Sequence, residues 1–219
     1  MIERVSWLVT TLLKIAKVDA GAMHVERREV RAADVARRAV APLATAMDLR
    51  DVSLALQLDE AATFQGDAPW TAEAVENIAK NCMEHTPAGG TVTVAVYEDA
   101  LACSITVSDT GSGIAPEDLP HIFERFYRGS GASKVASAPD GAIEEGAVEA
   151  ATQIAAEETG QVAVAASSGV GGDVRQPAGF GIGLSLAQAL VSAQGGTLRA
   201  ANNPAGGARF EISFPKLVV

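Results

Sequence analysis

Four short segments set residues with usable chemistry in a fixed order along the chain: Asn77-Ile-Ala-Lys-Asn81, Asp109-Thr-Gly-Ser-Gly113, Phe123-Glu-Arg-Phe126 and Gly179-Phe-Gly-Ile-Gly183. In a helix over 70–84, the 100° step per residue puts Glu73, Asn77, Asn81 and Glu84 within about 80° of arc. Val75, Ile78, Ala79 and Cys82 take the opposite side. Two asparagines one turn apart offer hard, uncharged oxygen ligands, which suit a Mg²⁺ ion whose charge is already balanced by phosphates. Asp109 ends an apolar strand, where its carboxylate can accept a hydrogen bond from an exocyclic amine such as N6 of adenine. Gly111 and Gly113 would let the backbone approach a flat ring. The glycines at 179, 181 and 183 precede a helix, and a helix N-terminus binds anions through its free N–H groups. The spacing is that of neither the dinucleotide fingerprint nor the P-loop. Each segment taken alone has a plainer reading: a solvated polar face, a tight turn, a loop-to-helix junction.

The elements that must hold these residues follow from periodicity. Residues 2–19 read as a helix with Val5, Leu8, Leu12 and Ile15 on a short bundle seam that needs a partner helix. The plainer alternative is a helix packed on its own domain. A strand around 25–30 follows, then a helix over about 32–47 interrupted at Pro42. A strand over 52–58 comes next, with Val52, Leu54, Leu56 and Leu58 on one face. Asp67 and Pro69 open the helix that carries the asparagines. Strands over 91–98 and 102–108 form an antiparallel hairpin. A helix over 184–193 and a hairpin of strands 198–201 and 209–214 close the chain. This is an α/β fold of the α+β two-layer kind: a mixed, mostly antiparallel sheet with helices on one face, preceded by a single N-terminal helix.

Composition bounds the function. The 219 residues are 48% hydrophobic and 20% charged, with a net charge of −10, which argues against a general nucleic-acid binder. Cys82 and Cys103 read as small buried hydrophobes in a reducing compartment. No apolar run reaches the roughly 20 residues of a membrane span, so the chain as it stands is expected to be cytoplasmic. Residues 129–178 hold no aromatic residue, 13 Ala and 8 Gly. Their seven acidic residues outweigh two basic ones, which is half the net charge of the chain. The stretch reads as a mobile loop in which 144–158 could form a marginal helix.

The ordered set of motifs resembles the catalytic and ATP-binding domain of bacterial two-component sensor histidine kinases, of the Bergerat or GHKL superfamily. Asn77–Pro87 resembles their N box, Asp109–Ile114 the first glycine box, His121–Arg128 the F box and Gly179–Leu184 the second glycine box. Residues 206–212 look like the closing glycine and strand. Residues 1–21 look like a remnant of the dimerisation and phosphotransfer hairpin, its second helix. Residues 22–219 would then be the catalytic domain, with a long lid over about 128–178. The resemblance implies ATP and Mg²⁺ as ligands. Asn81 would be the main metal ligand and Asn77 its support. Asp109 would read the adenine amine, with Gly111, Gly113 and Ile114 shaping that pocket and His85 bordering it. Phe123, Phe126 and Tyr127 would anchor the lid, and Arg128 would reach the terminal phosphates. Gly179, Gly181, Ile182, Gly183 and Leu184 would form the phosphate cradle. Asn77, Asn81 and Arg128 would carry the catalysis, phosphoryl transfer from ATP to a histidine. The implied partners are a histidine-bearing dimerisation domain and a response regulator. A homodimer would form in the full-length protein through residues 2–19, and such a full-length kinase can be membrane-anchored.

Three departures qualify that pattern. Glu84 stands where a Lys is common, leaving Lys80 and Arg128 to supply positive charge. The lid is long and acidic. None of His24, His85 and His121 has the setting of a phosphoacceptor, so no acceptor is assigned. Two other functions fit parts of the chain. A GHKL-type ATP hydrolase would need a Glu where Asn77 stands. A non-catalytic nucleotide-binding module would only heterodimerise with another kinase.

Overall fold

A computed structural model describes residues 2–22, 24–129 and 181–216, without the side chains of 2–8 and 19. The expected loop at 129–178 lies, beyond its first residue, outside the described residues, as do the marginal helix and Gly179. Helix α1 spans Ile2–Asp19. After it come β1 (Arg28–Arg31), α2 (Ala32–Val40), a 3₁₀ turn (Ala41–Leu43) and α3 (Ala44–Leu49). Next are β2 (Ser53–Leu58), β3 (Thr63–Gly66), α4 (Ala68–His85), β4 (Thr91–Glu98) and β5 (Ala102–Asp109). The chain closes with α5 (Gly183–Ala193), β6 (Thr197–Asn202) and β7 (Ala208–Pro215). The expected break at Pro42 is the 3₁₀ turn between α2 and α3.

The main sheet has the strand order β2-β4-β5-β7-β6. Only β2 and β4 pair in parallel; the other neighbours are antiparallel. Alternation along the strands turns Val92, Val94 and Val96 of β4, Ile105 and Val107 of β5, and Phe210, Ile212 and Phe214 of β7 to one face. Against them α4 buries Val75, Ile78, Ala79 and Cys82, and α5 buries Leu186, Leu190 and Val191. The apolar side expected for α4 is therefore its core face.

Strand β3 is the element that periodicity did not reveal. Its four residues, Thr-Phe-Gln-Gly, show too little alternation to register. It pairs with β1 in a separate two-stranded sheet, Val30 opposite Phe64. The Phe64 ring stacks on Phe214 at 4.3 Å. The one-faced pattern expected over 52–58 holds at Val52, which is buried, but Leu56 is 43% exposed. β2 is the sheet edge, where helices cover only part of a face.

The start of α4 and the end of α5 are pinned together. Asp67 caps α4 by accepting from Trp70 N at 3.2 Å, and its other carboxylate oxygen accepts from Glu26 N. The side-chain oxygen of buried Gln194, one residue past α5, accepts from Asp67 N at 2.7 Å and from the Thr71 hydroxyl at 3.1 Å. Gln194 Nε2 donates back to Leu190 O.

The C-terminal half of the α1 stripe packs on this domain. Ile15 and Thr11 are buried, Leu12 and Val18 partly so, with α5 alongside. Val9 and Leu13 remain about half exposed or more. Val5 and Leu8 lie among the undescribed side chains. No helix among the described residues is long and apolar enough to cross a membrane. Both cysteines are buried and free. Burial pushes the Cys103 thiol up to about 12.

The cap on α4 gives a direct test. Asp67→Ala removes acceptors for two backbone N–H groups and is expected to lower stability by about 1–2 kcal/mol. Urea unfolding should show a lower midpoint with an unchanged slope.

Candidate functional site

The polar face of α4 carries Asn77 and Asn81, both half-buried. Asn77 Nδ2 donates to Glu73 O at 2.8 Å, which leaves its Oδ1 as a free acceptor. That oxygen lies 3.2 Å from where a Cβ on Gly183 would stand, so Asn77 faces the start of α5. The Asn81 carboxamide has no hydrogen-bond partner among the described residues. Glu73, one turn earlier, pairs with Lys14 of α1 at 2.5 Å. Burial, then the Glu73 charge, pushes the Glu76 carboxyl above the usual carboxylate range. Glu84 is half-buried, whereas Lys80 and His85 are exposed.

At the end of β5, Asp109 is 4% exposed. Its Oδ1 accepts from Gly111 N at 2.8 Å and from Ala208 N at 3.2 Å. Burial first, then the Asp109 charge, push the Cys82 thiol of α4 well up. A Cβ on Gly111 would sit 2.3 Å from His85 O, so the turn after β5 is wedged against the end of α4. Gly207, at φ +83°, packs still closer: a Cβ there would lie 1.8 Å from Asp109 O. Ile114 packs on the core edge, and the Asn202 side chain bonds its backbone.

The third wall joins the F segment to the glycine turn. Phe123 packs against the core, while Phe126 is 58% exposed at φ +64°. Phe126 N donates to Gly181 O at 3.0 Å, and a Cβ on Gly181 would meet Tyr127 O at 2.5 Å. The Tyr127 hydroxyl donates to buried Asp118 at 2.8 Å, a bond that pushes the phenol pKa up. Arg128 is exposed, and His121 pairs with Glu124. Ile182 is buried in the core, so it supports the cradle from below, and Leu184 is half-buried. Ile182 provides no side-chain cap for α5, which leaves the first N–H groups of that helix without one.

Three of the four segments thus meet around α4: the Asp109 turn at its C-terminal end and the Gly181–Gly183 turn, held by the F segment, beside Asn77. The contents suit an anion at the start of α5 and a base beside Asp109. The free oxygens of Asn77 and Asn81 suit a hard cation that brings its own anionic ligands. Among the described residues no group of three or more His, Cys, Asp or Glu side chains is placed to hold a metal. Two clefts border this region, one of about 410 Å³ beside Lys14 and Trp70 with Glu73 in its wall, the other of about 360 Å³ beside Thr93 and Pro204 with Asp109 in its wall. Neither includes Asn77, Asn81 or Gly183. Asn202, Gln194 and the Lys14–Glu73 pair had no signature in the sequence, because each works through a partner far along the chain.

Comparison with known proteins places the chain beside sensor kinases. Residues 66–146 match the family described as histidine kinase-, DNA gyrase B-, and HSP90-like ATPase. Sensor protein kinase PmrB of Pseudomonas aeruginosa is 33% identical over 127 residues, 58% of this chain and 26% of that protein. Sensor protein SphS of Synechococcus elongatus is 28% identical over 219 residues, 98% of this chain and 44% of that protein. The structure of the mycobacterial sensor histidine kinase MprB superposes with a TM-score of 0.57 at 23% identity, covering 87% of this chain and 97% of the other. The chain spans between 20% and 44% of the length of the curated relatives it matches.

The close fit at Gly207 is open to test. Gly207→Ala must displace the turn or the Asp109 carbonyl, and is expected to lower stability by about 2 kcal/mol or more. The thermal midpoint should fall by several degrees, and an unchanged midpoint would contradict the fixed geometry.

Proposed function

We propose that this chain, which carries the ATP-binding catalytic domain of a sensor histidine kinase, transfers the γ-phosphoryl group of ATP to a histidine supplied by another segment or chain. The observation that carries this reading is the position of α4. It sets Asn77 and Asn81 between a buried carboxylate suited to a base and a glycine turn suited to phosphates. Asn81, supported by Asn77, would hold Mg²⁺ together with phosphate oxygens. The ion, when bound, would neutralise charge on those oxygens. Asp109 would accept the adenine N6 amine through the part of its carboxylate that Gly111 and Ala208 leave open. The uncapped N–H groups of α5 would take the phosphates. Phe123, Phe126 and Tyr127 would anchor the lid over 128–178, and Arg128 would meet the terminal phosphates.

None of His24, His85 and His121 is assigned as acceptor. His85 ends α4 inside the site and His121 belongs to the F segment. We assign residues 1–21 to a dimerisation hairpin and 22–219 to the catalytic domain. In the full-length protein α1 would pair with its own copy, and a response regulator aspartate would receive the phosphoryl group. A hydrolase reading is disfavoured by Asn77 at the position of the water-activating Glu and by Glu73 being tied to Lys14.

Asp109→Asn and Asn81→Asp are each expected to weaken ATP binding by about 10- to 100-fold, the first by losing a charge-assisted bond and the second by setting a carboxylate against the phosphates. Titration of a fluorescent ATP analogue in the presence of Mg²⁺ reads this, and unchanged affinity in both variants would sink the assignment. Incubation with γ-labelled ATP and a separate acceptor-histidine domain should label that domain. ATP binding without labelling would favour a non-catalytic module, and rapid phosphate release by the chain alone a hydrolase.

A further inference from the structure

Asn202 ends β6 on the surface, yet its side chain makes two bonds to one distant residue. Its Oδ1 accepts from Ile114 N at 2.7 Å, and its Nδ2 donates to Ile114 O at 2.7 Å. The two residues are 88 positions apart. Both polar atoms of the amide are therefore spent on one backbone unit, a two-point clamp that fixes orientation as well as distance. Gly113, at φ +75°, makes room for it, since a Cβ there would stand 2.8 Å from Asn202 Oδ1.

The clamp closes one end of a short loop whose other end is Asp109. Residues 110–113 are tied at Gly111 to the Asp109 carboxylate and wedged there against His85 O. They are tied at Ile114 to Asn202. With both ends held, the orientation of the Asp109 carboxylate is set before any ligand arrives. Released at Ile114, the segment would stay tied at Thr110 to Thr91, and Ala208 N would still hold Asp109, but Gly113 and Ile114 would shift and strain the Gly111 N–H bond that completes the orientation of Asp109.

We propose that Asn202 is a positioning residue for the nucleotide base. By clamping Ile114 it holds the Asp109–Ile114 turn in the form that accepts an exocyclic amine, and so sets the preference for adenine over guanine. The inference rests on the reading of Asp109 as the residue that meets the base. Asn202 acts through the loop and touches neither base nor phosphate in this scheme. Preorganisation of this kind raises affinity by removing an ordering cost from the binding step.

The test compares the chain with Asn202→Ala and Asn202→Asp, using ADP and GDP in calorimetric titrations beside thermal melts. Asn202→Ala is expected to weaken ADP binding about tenfold and to lower the ADP-to-GDP affinity ratio. Asn202→Asp keeps the acceptor for Ile114 N and gives up the donor, so it should fall between the two. The position is exposed, and the melting midpoints should stay close to that of the parent. ADP affinity unchanged in Asn202→Ala would overturn the inference. So would weaker binding with an unchanged ADP-to-GDP ratio, which would mark a role in stability alone. Failure of the parent chain to bind ADP would instead remove the nucleotide reading, and the inference with it.

Discussion

A carboxylate buried at the end of a central strand needs partners for its charge, and this end of the molecule is organised around that need. Asp109 finds its partners in two places. The turn after β5 supplies Gly111 N, and β7 supplies Ala208 N. Each partner fixes an element. The first bends the loop back on its own strand, and the second sets the approach of the β6–β7 turn. The closeness of Gly207 and Gly111 to neighbouring carbonyl oxygens shows how little slack they leave.

Much of this was legible in the sequence where the signal is local. Asp67 followed by Pro69 marks the start of α4 because capping needs only three neighbouring residues. Pro42 breaks its helix, and the alternation of 91–98 and 102–108 gives the central hairpin. The two faces of α4 follow from a 100° step alone. What stayed hidden has no local period. Strand β3 is four residues long and owes its place to Arg28–Arg31 and to the ring of Phe214. Gln194 reads as a plain helix-end residue, and only its distance to Asp67 N reveals a joint between two helices. Asn202 sits in a turn-rich run where its clamp on Ile114 cannot be guessed. The family motifs point to the residues proposed for the site, while the supports of those residues are scattered single side chains.

The charges around the site come both from motif residues and from the fold. Glu84, which departs from the family pattern, is half-buried next to exposed His85. A fixed positive feature for an anion is the start of α5, which has no side-chain cap and lies beside Asn77. Glu73 has its charge matched by Lys14, and that pair reaches from α1 to the turn of α4 just before Asn77. The N-terminal helix is thereby coupled to the same stretch of α4 that carries the site.

The joint at Gln194 makes α4 a ruler. Its zero mark is Asp67, pinned to the end of α5, and its graduations are Asn77 opposite Gly183 and His85 opposite Gly111. Each residue of helix advances about 1.5 Å and turns about 100°. One residue inserted or deleted between Asp67 and Asn77 would leave the sequence motifs intact and carry every asparagine to the wrong side of the helix. The tolerance to length changes that marks the surface loops of most folds therefore stops at Asp67 and resumes only after His85.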